Sequence, residues 1–127
     1  MDLPLDVRRF ILVGVPDVPY LEALLLLRTD ATTAWDSKRV AQRLFVGEQR
    51  AAELLQALSA GGIVQQSPGT TSTYHYRPAT ADMAALLDRL ATVYAADLVG
   101  VTNLIHSRAD KKAQQFADAF RLRKEPR

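Results

Sequence analysis

Helical periodicity governs most of this chain. Within residues 3–13, Val7, Phe10 and Ile11 recur at i, i+3, i+4, with Pro4 near the start and Gly14 behind, which predicts a short helix, a strand being the alternative. Asp17 can cap a second helix with Pro19 in its first turn, where a missing N–H goes unused. That helix runs to about Arg28. Its Leu21, Leu24, Leu25, Leu26 and Leu27 cover more than one face, so it is the expected buried centre of the fold. A polar connection over 30–35 leads to Asp36, the cap of a helix with Val40, Ala41, Leu44 and Phe45 facing inward. Another helix starts almost at once after Gly47, a connection so short that the two must cross steeply.

In this next helix Ala51, Leu54, Leu55 and Leu58 form the buried stripe. Gln49, Glu53 and Gln56 occupy the opposite face with Arg50 on its flank, and Gly61 and Gly62 stop the helix. The period then changes to two: residues 63–66 and 73–77 predict short strands, joined by a linker with Pro68 and Gly69, hence a hairpin. From Thr80 onward one seam carries Met83, Leu87, Leu90, Tyr94, Val101 and Ile105, widened by Leu86, Val93, Leu98 and Leu104. A helix of about 26 residues would be about 39 Å long at 1.5 Å per residue, longer than the body beneath it needs. Residues 109–127 predict a short basic amphipathic helix with Ala113, Phe116, Ala117 and Phe120 on its apolar face.

Helix, helix, short turn, helix, hairpin, long helix is the order of a winged helix-turn-helix, a mainly α fold with a small β-hairpin. The expected organisation is a winged domain over 1–78, a long helix suited to dimerisation over 79–108, and a basic segment over 109–127. The stretch from Ala41 through Gln42, Arg43, Leu44, Phe45 and Val46 to Gly47, followed by Ala51, Leu54, Leu58 and Gly62-Ile63-Val64, resembles MarR-like bacterial transcription regulators. The likeness covers about residues 36–77. Two positions depart from that pattern: Phe45 stands where a small residue or glycine usually turns the chain, and Gly47 where serine often caps the helix. Glycine caps only a few tenths of a kcal/mol worse than serine, so the helix survives.

The resemblance implies a regulator that binds double-stranded DNA as a dimer, with helix 48–60 in the major groove. Gln49 and Gln56 would pair with adenine edges, Glu53 would accept from cytosine N4, and Arg50 would reach guanine or phosphate. Lys38, Arg39 and Arg43 would sit near phosphates, and the hairpin tip with Thr70 and Thr71 over the neighbouring groove or backbone, with Arg77 at its base. The alternative is a winged-helix protein-interaction module or scaffold without specific DNA binding.

Charge bears on that choice. Of 127 residues, 16 are Lys or Arg and 14 Asp or Glu, a formal net charge of +2. Residues 1–103 carry −2 and residues 104–127 carry +4. Residues 35–77 place Lys38, Arg39, Arg43, Arg50 and Arg77 against Asp36, Glu48 and Glu53, and the hairpin tip has no cation. A specific binder making about 6 to 10 phosphate contacts needs cations to make them, so five per subunit suffice only in a dimer.

The excess length of the last helix suggests a second copy against Leu87, Leu90, Tyr94, Leu98, Val101 and Ile105, joined by Phe116 and Phe120. The alternative is that the same seam covers the chain's own helices. The basic tail folds back on the domain, or docks a protein partner, a membrane surface or nucleic acid. With no cysteine, thiolate metal sites, disulfides and cysteine nucleophiles are excluded. His75 and His106 lack neighbours at metal-ligand spacing, and no nucleophile motif or phosphate loop occurs, so neither catalysis nor a cofactor is expected. The most apolar run, 18–27, contains Pro19 and Glu22, and the start is acidic where an export signal is basic. The expectation is a soluble cytoplasmic protein without membrane insertion.

Overall fold

A computed structural model describes residues 3–69, 72–107 and 117. Helix α1 spans Leu5–Gly14 and α2 Val18–Thr29. The α2 start is built as its residues dictate: Asp17 Oδ1 accepts the Tyr20 N–H at 3.0 Å, and Pro19 occupies the first turn. Leu21, Ala23, Leu24 and Leu27 have no exposed surface, so α2 is the central helix. Each such leucine contributes about 1.5–3 kcal/mol through burial.

Helix α3 (Ser37–Leu44) begins at Asp36, whose carboxylate accepts the Arg39 N–H at 2.8 Å. Helix α4 (Glu48–Ala60) begins at Gly47 with no side-chain cap and buries Ala51, Leu54, Leu55 and Leu58 against the core. Between them Phe45 takes a left-handed conformation, φ 58° and ψ 44°. The inward-facing stripe expected of α3 therefore ends before Phe45. Once the backbone leaves the helical path at Leu44 the 3.6-residue period no longer aims the next side chain, and Phe45 is 94% exposed.

Gly62, at φ 77°, turns the chain out of α4 into β1 (Val64–Gln66). This strand pairs antiparallel with β2 (Tyr74–Tyr76), with Val64 opposite Tyr76 and Gln66 opposite Tyr74. The other edge of β2 is also occupied: Trp35, from the connection between α2 and α3, forms an isolated antiparallel bridge with Tyr74. The wing is thereby tied to the entrance of α3.

Helix α5 spans Ala81–Ala96 and starts at Thr80, whose hydroxyl accepts the Met83 N–H at 3.0 Å. The single helix of about 26 residues expected here is interrupted. Asp97 leaves the helical conformation at φ −147° and ψ 66°, and its Oδ1 accepts the Gly100 N–H at 3.0 Å, starting a second helical stretch over 98–107. A capping carboxylate offers the backbone an alternative to continuing the helix. A Cβ on Gly100 would meet that carboxylate where it now lies, so a larger residue there requires the Asp97 side chain to shift. Ion pairs fasten α5 to the body, Arg28 to Asp88 at 2.9 Å and Arg89 to Asp6.

Candidate nucleic-acid interface

The face of α4 turned away from the core displays Gln49, Glu53 and Gln56, all exposed. Their i, i+4, i+7 spacing aligns them along one side of the helix, opposite the buried leucines. No cap side chain stands in front of this helix, and nothing lies within 4 Å of where a Gly47 Cβ would be. The helix start is open, with backbone N–H groups unfilled by a side chain.

Arg50 is placed differently from the free base- or phosphate-contacting cation expected. Its Nη2 lies 2.5 Å from Asp17 Oδ2, at the start of α2, and its Nη1 lies 3.7 Å from Glu53 Oε1. The side chains of Arg50 and Asp17 each remain 41% exposed. Asp17 entered the sequence reading only as a helix cap. Its second role joins residues 33 apart along the chain, a pairing that no local spacing announces.

On α3, Lys38, Arg39, Gln42 and Arg43 are exposed. Arg39 Nη1 reaches the Ala34 carbonyl at 3.4 Å, and the Arg43 guanidinium stands 5.7 Å from the centre of the Trp35 ring, within cation–π range. Arg39, Gln42 and Arg43 line a depression of about 320 Å³ with Asp30, Thr33 and Trp35. Gln42, which the sequence reading did not single out, belongs to this surface. Arg77 is exposed at the base of the hairpin, while its N–H donates to the Ile63 carbonyl at 3.0 Å. Thr70 and Thr71 lie outside the described residues. The Tyr76 hydroxyl, beside Arg28 and Asp88, is buried without a hydrogen-bond partner among the described residues, and burial raises its pKa.

The expected dimer seam divides. Leu87, Leu90, Val101 and Ile105 are at most 1% exposed within this one chain, where they complete its core, and Tyr94 is half-buried. Leu98 is 53% exposed and Val99 65%. Phe116 and Phe120 lie outside the described residues. An apolar surface does remain elsewhere: Leu5 and Val13 are 84% and 74% exposed on α1, bordering a groove of about 700 Å³ that Phe10 and Leu86 also line. Arg8 and Arg9 stand in its wall.

Among the described residues no group of three or more His, Asp or Glu side chains is arranged to hold a metal ion. No single helix among them is long and apolar enough to cross a membrane.

No family model and no curated protein matches this chain. Among solved structures it is similar to the solution NMR structure of the homodimeric winged helix-turn-helix DNA-binding domain (fragment 1–100) of Mb0332 from Mycobacterium bovis, described as a possible ArsR-family transcriptional regulator. The two share 28% identity over 75% of this chain and 83% of the other, with a TM-score of 0.51. The tight α3–α4 turn, the antiparallel hairpin and this likeness establish the fold as a winged helix-turn-helix.

Proposed function

We propose that this protein is a DNA-binding transcription regulator that acts as a homodimer, reading duplex DNA with α4 and the wing. The observation that carries the reading is the exposed Gln49, Glu53 and Gln56 face of α4, held on a winged helix-turn-helix similar to a homodimeric DNA-binding domain. A helix of this size fits the major groove, and glutamine can make paired hydrogen bonds to adenine. Lys38, Arg39 and Arg43 on α3 and Arg77 beside the wing supply the phosphate contacts, with Thr70 and Thr71, in the sequence between the two strands, as further candidates. Dimerisation doubles these cations and presents two α4 helices to a palindromic site.

In this reading the dimer forms through the α1 groove, Leu98 and Val99, because Leu87, Leu90, Val101 and Ile105 already serve the core. The motif from Ala41 to Val64 resembles MarR-like regulators, and the likeness to a possible ArsR-family regulator supports an ArsR-like kinship instead. A regulator of this kind carries out no catalysis and works in the cytoplasm.

Selection from a random duplex pool at low salt tests the reading. Enrichment of a two-fold symmetric site is the expected result, and Gln49→Ala and Gln56→Ala each weaken binding to that site by about 1–3 kcal/mol. No enriched duplex overturns it. The second reading, a protein-interaction module, is favoured by one observation: Arg50 is already engaged with Asp17 and Glu53, which leaves α4 without a free cation among its residues. Co-purification of a stoichiometric protein partner bound at α4 or the basic tail, with no DNA selected, decides for it.

A further inference from the structure

Arg50 is the only Lys or Arg in α4, whose other charged residues are Glu48 and Glu53. The carboxylate it meets on α2 is engaged at both oxygens. Asp17 Oδ1 accepts the Tyr20 N–H at 3.0 Å and so is fixed by the start of α2, while Oδ2 receives Arg50 Nη2 at 2.5 Å. Because the cap holds the carboxylate, the carboxylate in turn holds the guanidinium. Glu53, 3.7 Å away on the next turn of α4, adds a second negative charge on the same side chain.

We propose that Asp17 is a specificity-determining residue for DNA: it withholds the charge of Arg50 from the phosphate backbone and leaves the choice of site to the neutral amides of Gln49 and Gln56. The inference rests on the DNA-binding reading above. A phosphate contact by Arg50 requires either that its pair with Asp17 break or that a phosphate approach two carboxylates, and like charges at that range repel. Sequence-independent affinity comes from cations that displace counterions, and a cation already neutralised displaces none. Contacts from Gln49 and Gln56 to base edges carry no such requirement. Asp17 therefore lowers binding to arbitrary duplex more than binding to the preferred site. It acts as a positioning residue, through Arg50, without itself touching DNA.

The test exploits the two roles of Asp17. Asparagine caps a helix as well as aspartate does, so Asp17→Asn removes the charge while keeping the α2 start. Fluorescence anisotropy measures binding of wild type, Asp17→Asn, Arg50→Gln and the double variant to a random-sequence duplex and to the site selected for wild type, across about 50 to 200 mM salt. For Asp17→Asn, affinity for the random duplex rises several-fold, and the slope of log K against log salt steepens by about 0.9, one additional phosphate contact. The ratio of selected to random affinity falls. Adding Arg50→Gln abolishes the steepening, and thermal melts confirm that each variant is folded.

An Asp17→Asn slope equal to that of wild type overturns the proposal, as does a steepening that persists with Arg50→Gln. If neither wild type nor Asp17→Asn binds any duplex at the lowest salt, the DNA-binding reading itself fails and this role with it. Binding by both with identical slopes leaves DNA binding standing and removes only the role of Asp17.

Discussion

Trp35 and Tyr74 exchange both of their backbone hydrogen bonds, each N–H donating to the other's carbonyl at 2.7 Å. This one pair fastens the entrance of α3 to the wing, so two parts of the candidate DNA surface share an anchor. Trp35 is 3% exposed, and its ring also underlies Arg43. Trp35→Ala leaves a cavity at the junction and lowers stability by about 3–5 kcal/mol, whereas Trp35→Phe loses less. Urea unfolding followed by circular dichroism measures both, and a loss under about 1 kcal/mol for Trp35→Ala contradicts the packing role of the indole.

Phe45 is left-handed and nearly fully exposed, so its side chain gains little from packing while its backbone is strained. Such a conformation costs a residue with a Cβ about 1–2 kcal/mol, and glycine escapes it at an entropic cost of about 0.5–1 kcal/mol. Phe45→Gly therefore stabilises the isolated protein by roughly 0.5–1 kcal/mol, read as a higher midpoint in the same urea titration. A drop in stability shows instead that the ring is held by contacts elsewhere in the assembly.

Asp6 links α1 to α5 through Arg89. The hydrogen bond from Arg89 holds its carboxyl below the ordinary value of 3.8, a shift that partial desolvation opposes. A carboxyl depressed in the folded state stabilises the fold above its unfolded pKa, and that contribution disappears as pH falls below 3.8 through the folded value. Thermal melts of wild type and Asp6→Asn accordingly differ at neutral pH, with wild type the more stable, and converge in acid below that range. A difference that stays constant into strong acid rules out the linkage.

Val13 and Leu5 project from α1 without burial in this chain, so a charge there costs the protomer little. Val13→Glu leaves the thermal melt of the isolated subunit within about 0.5 kcal/mol of wild type in stability. In sedimentation velocity it converts a dimeric wild type into a monomer. A dimer that persists places the association surface elsewhere, with Leu98 and Val99 as the next positions to substitute.

Helix α4 is legible in the sequence because its signals are local. The Ala51, Leu54, Leu55 and Leu58 stripe with glycines behind it predicts the helix over 48–60 that the structure contains, and Asp17 and Asp36 were readable as caps for the same reason. The break at Asp97 was less so, since Val101 and Ile105 keep a seam-like spacing with the preceding apolar residues even though the backbone is interrupted between them. Their burial in the same core satisfies the pattern in either geometry. The Arg50 and Asp17 contact depends on how α2 lies against α4, a tertiary relationship outside any sequence window. Composition counted Arg50 as a cation available to DNA, and only the fold supplies the opposing charge.

The interruption at Asp97 also has a mechanical meaning. An unbroken rod would transmit a twist applied at residue 107 directly to the base of the wing at Thr80. Two shorter cylinders meeting at one non-helical residue, with the carboxylate of Asp97 latched onto the Gly100 amide, make an elbow instead. Leu87 and Leu90 before the joint and Val101 and Ile105 beyond it are all buried in one core, so both arms stay fastened to the same body although the helical path between them is broken.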